Sequence, residues 1–323
     1  MCFLVLLQFR QNRSEPKNYP FSTYMTIFHS GIKQVAAATM FAFLVSCGSE
    51  PKKVESAVDS TALVQDSQIL EAVEDLFSKL PKPSAIPNLI VLTGAEYETK
   101  LLNPASNAEK VMGNSSKAAF SVGVFSADVG YMAAYDKGQE AVQTFVVGKK
   151  LADKIGVSNA FDVSVLERIE KNLAQKDSLI TISDASIANS TGILKANDQI
   201  KDAALLTAGA FVEGLYLTCG LIHDYPPTGL PKVEQDKILV PLVNAVIKQE
   251  GALTSLIELL QKVNDNDEVV NSIIAGLEKS KAIYAKGNWA ERIANNKGDL
   301  IPTESDIKDL AKSISELRKA MVE

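Results

Sequence analysis

Two acids stand alone inside long apolar segments. Asp128 lies in AAFSVGVFSADVGYMAAY (118–135) and Glu213 in AALLTAGAFVEGLYLTCGLI (203–222). A carboxylate in such a setting must be hydrogen-bonded, paired or protonated, because a bare buried charge is very costly. That leaves it three roles: proton transfer, metal binding, or a purely structural bond. Tyr131 follows Asp128 by three residues and Tyr216 follows Glu213 by three, which puts a phenol on each acid's helical face. Phe125, Tyr135 and Phe211 would complete an aromatic lining. The candidate buried polar site is therefore Asp128, Tyr131, Glu213 and Tyr216. The plainer reading has each acid satisfied by a tyrosine, a lysine or a helix N-terminus, and it is the one favoured here, since structural networks of this kind are common. A di-iron carboxylate bundle needs Glu-x-x-His motifs, and the sequence has none. No metal or cofactor is expected.

A second candidate is His223 with Asp224, followed by Tyr225-Pro226-Pro227. A histidine on a stiffened loop could act as a general base. A histidine closing a helix, where a positive charge suits the dipole, looks the same, and that reading is preferred. Cys219 sits in an apolar helix, the usual place of a small buried hydrophobe. No nucleophile elbow, phosphate loop, dinucleotide fingerprint or zinc spacing occurs. Asn264-Asp265-Asn266-Asp267-Glu268 alternates oxygens as a calcium loop would, but lacks the turn glycine and distal glutamate of an EF-hand. It reads as a linker in which Asp267 or a neighbour caps the next helix.

The elements that must position these groups are helices. Ile69, Leu70, Val73, Leu76, Phe77 and Leu80 recur with helical period, and Pro81 stops them. Further helices are predicted near 86–96, 107–113 (capped by Ser106), 116–135, 139–154, 163–174 (capped by Asp162), 177–195, 199–222, 233–249, 252–263, 267–285 and 303–322. Trp289 is expected to be partly buried near a helix end. No hairpin turn separates two alternating runs, so the fold class is all-α: about ten amphipathic helices around two apolar Gly/Ala-rich central ones. Those two, with 18 and 20 residues and one acid each, are read as core rather than as membrane spans. Gly123-Val124-Phe125 with Asp128 faintly echoes Gly209-Ala210-Phe211 with Glu213, read as a shared packing solution.

The N-terminal part speaks of location. Leu44-Val45-Ser46-Cys47 fits the lipobox of bacterial lipoproteins, where the cysteine is acylated and becomes the new N-terminus. Lys33 supplies a positive n-region and Val35–Val45 an uncharged run too short to span a bilayer. Met25 starts a better-formed signal peptide than Met1. The expected organisation is thus 1–24 an extension outside the product, 25–46 a signal peptide, 47–66 the lipidated cysteine and a flexible tether, and 67–323 one all-α domain. Residue 48 is not aspartate, which favours the outer membrane and a periplasm-facing domain.

The chain has 33 Lys and Arg against 39 Asp and Glu; four of those bases and one acid precede Cys47, which leaves a net −9 after it. Such a surface repels nucleic acid. Of three cysteines, Cys2 and Cys47 lie in these N-terminal segments, so no disulfide framework is expected.

LLNP (101–104), GVFSADVGYMAAYDKGQEA (123–141), KKLADKIG (149–156) and AGAFVEGLY (208–216) together resemble a group of uncharacterised bacterial envelope lipoproteins. That resemblance implies a helical, lipid-anchored protein and supplies no catalytic residue. The first expectation is a non-enzymatic binding or structural module, anchored through Cys47, that meets an envelope protein or an apolar ligand. The alternatives are a small-molecule or lipid carrier whose pocket includes Asp128 or Glu213, and a hydrolase using His223.

Overall fold

A computed structural model describes residues 71–81, 90, 94–158, 167–168, 171, 176–224, 231–295 and 304–323. Several sequence expectations lie outside these residues. They are the extension 1–24, the signal peptide, Cys47 and its tether, most of the 86–96 and 163–174 segments, the side chain of Asp224, and Tyr225-Pro226-Pro227.

The described residues form an all-α fold with no strand among them. Residues 71–78 are helical and end before Pro81. The labelled helices are α1 (Asn107–Val111), α2 (Ser115–Ala134), α3 (Gly138–Lys154), α4 (Lys176–Ala196), α5 (Ile200–Asp224), α6 (Lys232–Ile247), α7 (Glu250–Val263), α8 (Glu268–Gly287), α9 (Trp289–Asn295) and α10 (Glu304–Val322). A 3-10 turn, Thr99–Leu101, precedes α1.

Caps fix several of these boundaries. Asn114 accepts the Lys117 N–H at 2.9 Å and starts α2. Asp267 accepts the N–H groups of Val269 and Val270 at 2.8 and 3.3 Å and starts α8. The Asn264–Glu268 stretch is thus a capped linker, tied further by Lys201, whose ammonium reaches Asp267 at 3.2 Å. Asn288, at φ 44°, closes α8 in the left-handed conformation. Ser106 precedes α1, but its side chain makes no capping bond. Residues 95–98 carry no regular secondary structure after a left-handed Gly94, so the predicted 86–96 helix does not reach its expected end. Trp289 is fully buried, at 2% exposure, and opens the short helix α9 that periodicity does not suggest.

The core is organised by α2 and α5. From Ala118 to Ala134 every residue of α2 is buried, so it presents no solvent face. Helix Ile200–His223 is long and apolar enough to cross a membrane, yet 83% of its apolar window is buried inside the fold. Both are core helices that spend their hydrophobic surface on their neighbours. They cross in backbone contact. A Cβ on Gly123 would stand 1.9 Å from the Leu206 carbonyl oxygen, and one on Gly209 would stand 1.9 Å from the Phe120 carbonyl oxygen. Each glycine thus meets the residue three before the other. The echo between the two segments is a reciprocal crossing, and glycine's helical cost of about 1 kcal/mol is offset by this close approach.

The amphipathic helices wrap this pair. α10 lays Ile307, Leu310, Ile314 and Leu317 inward, and α8 lays Val270, Ile273, Leu277 and Tyr284 inward. The two helices also share a buried Ser280–Ser313 hydrogen bond of 3.0 Å.

Candidate functional site

The glycine crossing sets the relative register of α2 and α5, and with it the meeting of their acids. Asp128 lies five residues past Gly123, and Glu213 four past Gly209, and both acids are fully buried. They are close enough that each acts on the other's ionisation. The third member comes from α10. Arg318 donates from Nε to Glu213 Oε2 at 2.6 Å and from Nη2 to Oε1 at 2.8 Å, a bidentate fork. Its Nη2 also points at the Leu101 carbonyl oxygen, at 3.4 Å. The backbone N–H of Asn103 donates to Asp128 Oδ2 at 3.1 Å.

These contacts assign the protons. Burial pushes Asp128 well above the usual carboxylate range, and the neighbouring Glu213 charge pushes the same way. Burial also raises Glu213, but the Arg318 guanidinium works against it. Of two neighbouring buried carboxylates, each disfavours the charge of the other. Asp128 Oδ1 meets no donor among the described residues, whereas both Glu213 oxygens accept from Arg318, so Asp128 is the acid that holds a proton. Asp128 is the neutral acid, and Glu213 is the anion held by Arg318. Burial alone disfavours the arginine charge, and the Glu213 carboxylate more than offsets that. The assembly is electrically neutral overall.

Neither tyrosine serves the acid on its own face. Tyr131 accepts the Glu98 N–H at 2.9 Å, and burial pushes its phenol up to about 12. It stacks with Tyr97 at 5.3 Å and packs edge-on against Tyr135 at 5.1 Å. Tyr135 in turn donates to the Ala95 carbonyl at 2.6 Å. This aromatic group clamps residues 95–98 onto α2. Tyr216 lies under the Arg318 guanidinium, 4.1 Å from its ring centroid. Phe125 packs at Gly148, and Phe211 lines a separate cavity of about 280 Å³ with Phe77 and Ile187. The five aromatics therefore do not enclose one site.

Arg318 is the residue that sequence reasoning missed. A signal for it exists. It stands four residues after Ile314 and eleven after Ile307, in the inward stripe of α10, where a charge needs a buried partner.

A groove of about 360 Å³ opens between α5 and α10, beyond Tyr216. His223, in the last turn of α5, is exposed and stands at its rim. Cys219 lines the groove, and burial pushes its thiol up to about 12, so it is no thiolate nucleophile near neutrality. Asp128 and Glu213 do not line this groove. Between α2 and α5 themselves, where the carrier reading needs its pocket, the helix backbones touch. Among the described residues, no group of three or more His, Cys, Asp and Glu is placed to hold a metal ion.

Comparison of the chain with family models, with curated proteins and with solved structures finds no match.

Proposed function

We propose that this chain is a lipid-anchored helical module of a bacterial cell envelope that binds its partner rather than transforming it. The anchoring rests on the Leu44-Val45-Ser46-Cys47 motif and the charge and length pattern before it. The binding reading is carried by the closure of the Asp128–Glu213–Arg318 assembly. Both Glu213 oxygens are taken by the guanidinium and both acids are sealed from solvent. Acids so engaged hold a core together, and they offer no proton to a substrate. A stable anchor takes two or more acyl chains, which the modification of such a cysteine supplies.

Two measurements test the two halves. Cells fed an alkyne-bearing fatty acid should label the protein, and Cys47→Ala should abolish the label and release the domain from the membrane fraction. An unlabelled wild-type protein would overturn the anchoring. For the binding half, His223→Ala should preserve every phenotype of the gene. A null phenotype in a folded His223→Ala protein would revive the hydrolase.

A further inference from the structure

We propose that the groove between α5 and α10 binds a single-chain anionic amphiphile, an alkyl chain ending in a carboxylate or a phosphate. The proposal rests on the binding reading and names its ligand class.

The groove has two chemistries. Its floor is apolar, built from Leu101, Cys219, Ile307, Ala311 and the ring of Tyr216. Its rim carries the ammonium groups of Lys308 and Lys312. Lys308 and Lys312 are four residues apart on α10, hence on one face, and both are exposed. No acid lines the groove among the described residues, although the chain as a whole is acidic, with 39 Asp and Glu against 33 Lys and Arg. Asp309 adjoins Lys308 in sequence but lies about 100° further round the helix, outside the lining. Glu316, four residues past Lys312, is itself paired with Lys279 at 2.6 Å. A cationic rim over an apolar floor on an acidic molecule is complementary to a ligand with an anionic head and an apolar tail.

Size narrows the class. Ligand pockets run from about 300 to 1,000 Å³. At about 360 Å³ the groove is of the size of one alkyl chain.

The walls are held in place from behind. Arg318 stacks on Tyr216 at 4.1 Å and reaches the Leu101 carbonyl at 3.4 Å. Tyr216 and Leu101 are groove residues. The buried ion pair therefore fixes two walls of the groove, which lowers the ordering cost of binding. Asp128 and Glu213 act on the ligand only through this positioning.

The test uses the full chain in its own membranes. A decanoic acid bearing a diazirine is added, irradiated, and the adduct located by peptide mass spectrometry. Adducts should fall on peptides containing residues 216–223 and 307–315. Labelling should drop about tenfold in the Lys308→Glu, Lys312→Glu double variant and in Ala311→Phe, which fills the floor. Thermal melts by circular dichroism check that both variants are folded. Competition by decanoate and by decyl phosphate separates the two heads, and decyltrimethylammonium should not compete. Adducts scattered over other apolar positions would overturn the proposal, as would labelling indifferent to both variants or equal competition by the cation. These outcomes are independent of acylation at Cys47: intact acylation without groove labelling overturns this proposal alone.

Discussion

Gly123 and Gly209 occupy reciprocal places at one helix crossing, each leaving room for a backbone carbonyl of the other helix. A Cβ at either position would stand 1.9 Å from that oxygen, far inside contact distance. The atom in the way is backbone, so no rotamer change relieves the clash.

Alanine at either glycine should therefore destabilise the protein by about 2 kcal/mol or more, despite alanine's better helix propensity. Gly192, in α4, is exposed and has nothing within 4 Å of its Cβ direction. Gly192→Ala should be neutral or stabilising by up to about 1 kcal/mol. Urea denaturation of the three variants checks the contrast, and equal effects at all three positions would refute the crossing.

The two buried acids should respond differently to amide substitution. Asp128→Asn keeps a neutral polar group beside Glu213 and an acceptor for the Asn103 N–H, so its cost should stay within about 1 kcal/mol. Glu213→Gln leaves the Arg318 charge buried without its counterion and should cost about 3–5 kcal/mol. A reversed order in denaturation midpoints would mean that the proton sits on Glu213.

Stability should also fall as pH rises. Asp128 is raised in the folded chain above its unfolded value of about 3.9, so the folded state binds the extra proton between those two values. The stabilisation is fully present below about pH 4 and is lost as pH climbs through the folded value. Melting temperature against pH should slope downward in wild type over that window and flatten in Asp128→Asn. Parallel profiles for the two proteins would exclude Asp128 as the group responsible.

Replacing Arg318 by Lys should not rescue the ion pair. A lysine is a point charge and cannot make the parallel bonds at 2.6 and 2.8 Å, nor stack flat on Tyr216. The expected loss is about 2 kcal/mol or more, accompanied by weaker labelling of the groove. Labelling at the wild-type level in a folded Arg318→Lys protein would separate the groove from the assembly behind it.

How far the sequence reveals this arrangement depends on the range of the interaction. The two core helices are legible because their apolar character is continuous and local, and the Asp267 cap is legible because it acts within three residues. The burial of Asp128 and Glu213 follows from the same local signal. Their partners do not, because helical spacing can put Tyr131 on Asp128's face but cannot say that the Glu98 N–H takes its hydroxyl. Arg318 is farther still from sequence view, since it meets Glu213 across 105 residues and only its place in an apolar stripe betrays it. The carrier alternative would need a pocket between the two glycine-bearing helices. Their small residues instead let them close on each other, and the groove lies between α5 and α10.

The distance along the chain between Glu213 and Arg318 also has a temporal meaning. A polypeptide made, or threaded through a pore, with its N-terminus leading presents the acid 105 residues before the base that neutralises it. Until α10 arrives, the α2–α5 crossing can be completed only by leaving the two acids without their cation, or by protonating both. Arrival of the late helix converts that liability into a bidentate lock. The order of synthesis thereby bears on the core: the centre of the fold gains its counter-charge only once α10 has been delivered.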